Sequence, residues 1–388
     1  MVAIATIAAH RVCARCQVFG AGAAQAGVMQ TRLIDAGDLE SGLCRMFEAA
    51  GCAGEEAARV ARDLVDANLT GHDSHGVVRA PAYVDWLRDG LVRAGQDVEV
   101  VTDGGTFAVL EAHRGLGQTV AAQATDLGIA RAREYGTSIV ALRNAGHVGR
   151  VGRYAETAVA AGLIAIHFVN VAGSVLVAPF GSAERRFSTA PFAIGLPLPG
   201  RPIVLDFATS LVAEGKVRVA SLGGKPLPDD ALVTAGGVLT GDPHAVYGDY
   251  GPHEARSAAL GRGAIRAFGE HKGSGLALMC ELLGGALTGG PCSGPVTEAG
   301  RGITNGMLSI HLSPAHFGTQ AAFERVGRDY LDWVVSAAPI DDDAPVLAPG
   351  DVEARTRAAR LAGGVPIPVD VWESLRRSAS ALGVDLVG

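Results

Sequence analysis

The chain begins and ends in helical periodicity and runs through strand-like stretches in between. Asp38-Leu39-Glu40 opens a predicted helix whose Leu43, Met46 and Phe47 share a face and which Gly51 ends. Gly54-Glu55-Glu56 opens a second helix. In it Ala57, Val60, Ala61, Leu64, Val65 and Asn68 recur at steps of three and four residues. A third is predicted from about Pro81 to Asp89, closed by Gly90. Beyond Gln96 the period shortens. Val98 to Val101 and Phe107 to Glu111 read as strands around Asp103-Gly104-Gly105. A helix from Thr119 to Tyr135 ends at Gly136, a strand covers Ser138 to Arg143, a helix covers Gly149 to Ala161, and a strand covers Leu163 to Asn170.

Pro179-Phe180-Gly181, Ala190-Pro191 and Pro197 to Pro202 then punctuate short runs, Phe192 to Leu196 and Ile203 to Phe207. Such spacing predicts antiparallel or mixed sheet, not regular βαβ winding. Asp229 to Arg266 reads as a long irregular loop. Ser274 to Leu287 is apolar nearly all round and reads as a buried helix. Gly306 to Leu312 is a late strand, and Phe317 to Ser336 and Val369 to Leu382 are outer helices. The expectation is an α+β protein, not of the Rossmann type. A mainly antiparallel or mixed sheet domain, residues 96–314, is inserted in a helical subdomain made of residues 29–95 and 315–388.

Residues 1–28 are Ala- and Gly-rich, hold Arg11 and Arg15, and contain no acid. Gly20-Ala21-Gly22 mimics a dinucleotide fingerprint, but Gln25 stands where its third small residue belongs. The stretch reads as a disordered or loosely packed extension, with Met29 as the natural start.

A chain of 388 residues with 48% hydrophobic and 19% charged residues can bury a large core. A net charge of −7 without a basic run excludes nonspecific nucleic-acid binding. No apolar run reaches membrane-spanning length. Six scattered cysteines form no disulfide framework, which places the protein in the cytoplasm. Neither a His-Glu-x-x-His motif nor a Cys/His quartet is present. No metal site is expected, and a zinc hydrolase is a poor alternative.

The chemistry concentrates in Gly71-His72-Asp73-Ser74-His75-Gly76-Val77-Val78-Arg79-Ala80-Pro81-Ala82-Tyr83, between two helices. Imidazole moves protons near neutral pH. A guanidinium forks onto a carboxylate, and a phenol can donate to a developing oxyanion. The bland reading is a polar turn with a satisfied histidine. Gly146-His147-Val148-Gly149-Arg150 follows a strand. Alone its imidazole reads equally as a packing group; beside the His75 segment it reads as functional. Glu270-His271-Lys272-Gly273 precedes a helix, and His271 with Lys272 makes a cationic pair suited to a pyrophosphate. Asp206 and Asn170 end strands and are candidates for contacts to a ribose or an amide.

Taken in order, these motifs resemble the malate/L-lactate dehydrogenase family. They are Ser74-His75-Gly76 with Arg79 and Tyr83, Ala145-Gly146-His147 with Tyr154, Asn170, and Pro179-Phe180-Gly181. Next come Asp206-Phe207-Ala208-Thr209-Ser210 with Gly215-Lys216, Glu270-His271-Lys272-Gly273, and Pro349-Gly350-Asp351. The similarity runs from about Leu33 to Asp351. It implies a nicotinamide-dependent oxidoreductase using NAD or NADP. His75 would be the acid/base with Ser74 beside it, and Arg79, Tyr83 and His147 would hold the substrate carboxylate and oxygen. Asp206, Phe207, Ala208, Lys272 and Pro349-Gly350-Asp351 would line the cofactor. It also implies a homodimer with the site near the subunit contact. Three departures bear on substrate and ribose-phosphate preference. Ser188-Thr189-Ala190-Pro191 replaces the family's usual Gly-Thr-Asn-Pro, Ser274 replaces an aromatic after His-Lys-Gly, and 229–266 lacks Trp-Ala-x-Asp. The expected reaction is hydride transfer at C2 of a small 2-hydroxy or 2-oxo carboxylate. Alternatives are reduction of a cyclic ketimine-2-carboxylate and noncatalytic nucleotide binding.

Overall fold

A computed structural model of the chain describes residues 30–386 except 252, 253, 255, 295–301, 342 and 343. The expected extension, residues 1–28, lies outside the described residues. Strand β1 (Thr31–Ile34) leads into α1 (Ala36–Ala49), whose first turn is capped by Asp35 accepting from Gly37 N at 2.7 Å. Then come α2 (Gly54–Leu69), two 3-10 turns (Asp73–His75 and Val77–Arg79) and α3 (Ala80–Arg88). Next are β2 (Glu99–Asp103), β3 (Phe107–Glu111), α4 (Gly117–Tyr135), β4 (Thr137–Ala145), α5 (Gly152–Ala160) and β5 (Ile164–Ala172). They are followed by β6 (Val177–Ala178), β7 (Pro191–Leu196), β8 (Ile203–Ala208), α6 (Glu214–Ser221), β9 (Leu232–Val233), β10 (Leu239–Thr240), α7 (His244–Tyr247) and β11 (Ala264–Arg266). The last elements are α8 (His271–Cys280), continued by a π segment (Glu281–Gly285), then β12 (Thr304–Leu312), α9 (Gln320–Val335), α10 (Asp351–Gly363), β13 (Val365–Pro368) and α11 (Val369–Ala381).

The architecture is mixed α+β. A seven-stranded sheet runs β2-β3-β4-β12-β5-β7-β8, antiparallel except where β3 meets β4. Its core packs Leu110, Leu142, Val169 and Met307 against Val120 and Ala124 of α4. A separate core holds Leu43, Met46, Phe47, Val60 and Leu64 of α1 and α2 with Tyr83 of α3 and Trp372 and Leu375 of α11. The β1–β13 ladder closes that helical core, joining the first described strand to the last. The apolar stripe read along α2 is the face it buries.

Three expectations need correction. Residues 229–266 are not an irregular loop. β9, β10 and β11 join β6 in a four-stranded sheet whose core includes Val177, Val217, Leu232, Tyr247 and Ile265. Its strands are two or three residues long, too short to show a period of two. The stretch from Ser274 to Leu287 is not buried all round: Ala277, Cys280 and Gly284 face the sheet, while Leu278, Met279, Leu282 and Leu287 are exposed. Third, α9 does not join the helical core. It leans on the β7–β8 hairpin, with Gly327 against Leu198 and Arg328 donating to Pro199 O, and leaves Tyr330 and Trp333 exposed.

Two fully buried imidazoles sit inside the sheet. His167 Nδ1 lies 2.8 Å from Ser309 Oγ and His311 Nδ1 lies 3.1 Å from Ser138 Oγ; both Nε2 atoms are sealed without a partner. Desolvation lowers His167 to about 3 and His311 to about 4. Folded values below the ordinary 6.5 mean that the unfolded chain binds more protons in that window. Stability is therefore full above about pH 6.5 and lost as pH falls towards 4. Urea midpoints should fall steadily across that range; a flat profile would contradict the burial of two neutral imidazoles.

Candidate active site

The site is built on the corner between α2 and α3. Asn68 is a polar residue on the buried stripe of α2, 3% exposed. Its amide ties the corner together: Oδ1 accepts from Val77 N at 2.8 Å and Nδ2 donates to Asp73 Oδ1 at 2.6 Å. Gly76 is required here, because a Cβ would stand 2.2 Å from Asn68 Oδ1. From outside, α10 fastens the same turn. Arg360 donates to Asp73 Oδ1 and Oδ2 at 2.6 and 3.0 Å and also to Asn68 O. Glu353 meets His72 Nε2 at 3.3 Å, and Arg357 pairs with Asp66 at 2.6 Å.

The second half comes from the loop between β4 and α5. Asn305 Oδ1 accepts from Val148 N at 2.9 Å, and Tyr154 OH donates to Val148 O at 2.7 Å. The start of α4 presses against it so closely that a Cβ on Gly117 would stand 2.2 Å from His147 O. That loop delivers His147 to the corner. The His75 and His147 rings lie parallel within 9°, centroids 5.6 Å apart. Tyr83 OH lies 2.5 Å from His147 Nδ1, and Gln118 Nε2 donates to Tyr83 OH at 3.1 Å. Ser74 Oγ lies 3.1 Å from His75 Nδ1, and Arg79 Nε donates to Ser74 O at 2.7 Å. No carboxylate pairs with Arg79 among the described residues, so both its terminal nitrogens are uncommitted.

Electrostatics follow from this burial. Desolvation, then Arg79, His72 and Arg150, lower His75 to about 3. His147 is held well below the ordinary imidazole range by burial, then by Arg79 and His75. Burial pushes the Tyr83 phenol up to about 12. Around neutral pH the two imidazoles and the phenol are uncharged, and the guanidinium of Arg79 is the cation that acts on all three. The arrangement can grip a carboxylate, hydrogen-bond an adjacent oxygen and take up or release one proton.

The remaining candidates lie around this centre. Asp206 Oδ2 accepts from Gly152 N at 2.7 Å, at the start of α5. Burial raises its pKa, while His72 and Arg150 oppose the shift. Phe207 faces the other side of β8, edge-on to Phe192 and Phe268 at 5.8 and 5.3 Å. Ala208 ends β8, the terminal strand of its sheet. His271 and Lys272 open α8 and are exposed, with His271 edge-on to Phe180 at 5.9 Å. Lys272 N and Gly273 N are already bound to Gly269 O and Phe268 O, so most backbone donors at this helix start are taken. Pro349 and Gly350 form the turn before α10, with Gly350 backed onto Val204; Asp351 is bound to Arg201 at 2.6 Å and Ala348 N at 2.8 Å.

Asn170 is engaged within the protein. Its Nδ2 donates to Pro291 O at 2.7 Å and Glu281 Oε2 at 3.3 Å, and its Oδ1 accepts from Gly306 N at 2.8 Å. It is buried, and it joins β5 and β12 to the π segment. Sequence reading missed Gln118, the Asn68 bracket and all of α10. Asn68 carried a signal, being a polar residue on an apolar stripe; α10 carried a weak one, because the apolar positions of Asp351–Gly363 are mostly alanines and none of its residues is fully buried.

Residues 34–376 match the family model described as malate/L-lactate dehydrogenase. The chain belongs to the malate/L-lactate dehydrogenase family. Hydroxycarboxylate dehydrogenase B of Escherichia coli strain K12 is 38% identical over 353 residues, 90% of this chain and 94% of that protein. The solved malate dehydrogenase of Pyrococcus horikoshii superposes with a TM-score of 0.80 at 29% identity, covering 92% of this chain and 97% of that one. The solved Δ1-piperideine-2-carboxylate reductase of Pseudomonas syringae superposes with a TM-score of 0.74 at 31% identity, covering 90% and 100%. The protein is an oxidoreductase acting on the CH–OH of 2-hydroxy acids, in a family whose dehydrogenases are nicotinamide-dependent in general.

Gly76→Ala should dislodge the Asn68 bracket. Overpacking of this kind costs about 1–3 kcal/mol, and turnover should fall with it because His75 rides on the turn. Thermal unfolding and steady-state rates check both; an unchanged rate would show that the bracket does not hold the imidazole.

Proposed function

We propose that the protein transfers hydride between NAD or NADP and C2 of a small 2-hydroxy or 2-oxo carboxylate, of the malate or lactate kind. The observation that carries this reading is the stacked pair His75 and His147 beside the uncommitted guanidinium of Arg79. Arg79 grips the substrate carboxylate and so orients C2. His147, backed through its Nδ1 by Tyr83, polarises the C2 oxygen. His75, with Ser74 on its Nδ1, gives the proton in reduction and takes it in oxidation. When bound, the nicotinamide supplies or accepts the hydride.

The donors present suit such a cofactor. As the outermost strand of its sheet, β8 offers peptide groups at Asp206, Phe207 and Ala208 for a carboxamide or ribose. Lys272, exposed and without an ion pair among the described residues, and His271 stand at the positive end of α8, suited to a pyrophosphate. The Pro349-Gly350-Asp351 turn borders the other end of β8. The helical subdomain of residues 29–95 and 315–388 would enclose the sheet domain of 96–314. The β1–β13 ladder and the shared core support that division, although α9 leans on the sheet. A homodimer is part of the reading, supported by the unpartnered apolar faces of α8 and α9. A cytoplasmic location is proposed with it; among the described residues no helix is long and apolar enough to cross a membrane.

The similarity to the piperideine-carboxylate reductase supports a second reading, reduction of a cyclic ketimine-2-carboxylate with the proton delivered to nitrogen. Oxaloacetate, pyruvate and Δ1-piperideine-2-carboxylate, each assayed with NADH and NADPH, separate the two. No oxidation of either cofactor with any of them would overturn both.

His75→Ala should lower turnover by about two to four decades. Arg79→Lys replaces a fork by a single point donor, so it should act chiefly on the KM of the carboxylate; an unchanged KM would remove Arg79 from that role. In hydroxy-acid oxidation His75 must be neutral, and its lowered pKa keeps it so well into acid. The kcat/KM for oxidation should therefore stay level as pH falls through 6.5, the ordinary imidazole value. A loss of half the rate near 6.5 would show that the working base titrates as an ordinary imidazole and that burial does not hold it neutral.

A further inference from the structure

Gln118 is the second residue of α4, 2% exposed. Its Nε2 donates to Tyr83 OH at 3.1 Å, and Tyr83 OH stands 2.5 Å from His147 Nδ1. An amide nitrogen only donates, and a phenol holds one proton. The Tyr83 oxygen thus accepts from Gln118, and its proton is left for His147 Nδ1. An imidazole that accepts at Nδ1 carries its proton on Nε2. His147 Nε2 has no partner among the described residues and, unlike those of His167 and His311, it is not sealed from solvent.

The opposite amide orientation would reverse the chain, with Tyr83 donating to Gln118 and His147 donating from Nδ1. It would also put the amide nitrogen where the oxygen now lies buried without a partner. The oxygen is one unmet acceptor; the nitrogen would bring two unmet donors, a larger penalty away from water.

We propose that Gln118 is a positioning residue that, through Tyr83, holds His147 as the Nε2–H tautomer, so that His147 meets the C2 oxygen of the substrate as a hydrogen-bond donor. The last clause rests on the hydride-transfer reading; the tautomer does not. His147 keeps its proton throughout, and the proton that moves belongs to His75.

Nitrogen-15 spectra of the full-length, histidine-labelled protein at neutral pH read the tautomer directly, with His147 assigned by the signal lost in His147→Gln. The expected pattern is protonated Nε2 and bare Nδ1. In Gln118→Leu the preference should weaken and kcat should fall about ten- to a hundredfold, as for other outer partners of a working imidazole, with a smaller change in the KM of the 2-oxo acid. In Gln118→Glu the carboxylate accepts from Tyr83, and the tautomer should invert. Protonated Nδ1 in the native protein would overturn the proposal, and so would a folded Gln118→Leu protein with native tautomer and kcat. Should that variant fail to fold, the native spectrum still decides. A protonated Nε2 in a protein that turns over none of the carboxylates would support the relay and overturn the hydride-transfer reading.

Discussion

Everything at the site hangs on one hydrogen bond between two hydrophobic cores, Tyr83 to His147. Tyr83 is packed in the helical core against Phe47 and Trp86. His147 rides on a loop of the sheet. Neither side chain can carry charge cheaply where it lies, because a buried ion must be paired or neutralised. The pair therefore meets as neutral phenol and neutral imidazole. That leaves Arg79 without an ion pair among the described residues, a charge that the carboxylate of the proposed substrate would balance.

The corner that carries His75, Arg79 and Tyr83 is held by different physics. Its inner bracket is the Asn68 amide, which is buried and fully used. Its outer bracket is a set of ion pairs from α10 to Asp66, His72 and Asp73. Asp73 is half exposed, so its pair with Arg360 adds little stability. Arg150 and Asp66 are well buried, and each has a second partner, Glu156 for Arg150 and Arg357 for Asp66, so the charges are paired as a network. Such contacts gain little free energy but admit few geometries, which is what a turn carrying an acid/base group needs.

The helical corner and the clustering of its candidate residues were legible in the sequence for one reason. Long amphipathic helices announce themselves through their period, and a cluster of His, Ser, Arg and Tyr between two of them has few structural excuses. The α2 stripe and the β4 loop after Ala145 both fell where the pattern put them. What stayed hidden lacked a pattern. The β9–β11 strands are too short to alternate. α10 buries none of its residues fully, because it acts through charge pairs. α8 showed its apolar residues but not which of them face inward: small residues touch the sheet and large ones point away. A strand-ending amide such as Asn170 looks the same in sequence whether or not it also holds, as here, a neighbouring strand and the π segment.

The direction of the His147 hydrogen bond bears on which C2 group this site favours. A 2-oxo acid presents a carbonyl oxygen with lone pairs, and a donor at Nε2 stabilises the charge that gathers there as hydride arrives. A cyclic ketimine presents a lone pair on nitrogen when neutral and an N–H when protonated, so a donor at Nε2 is a mismatch only for the protonated form. On the proposed reading Arg79 would treat the two substrates alike, since both carry the carboxylate. The choice between a carbonyl oxygen and a protonated ketimine nitrogen would then fall to one imidazole whose tautomer is set outside the substrate's reach, by an amide on α4.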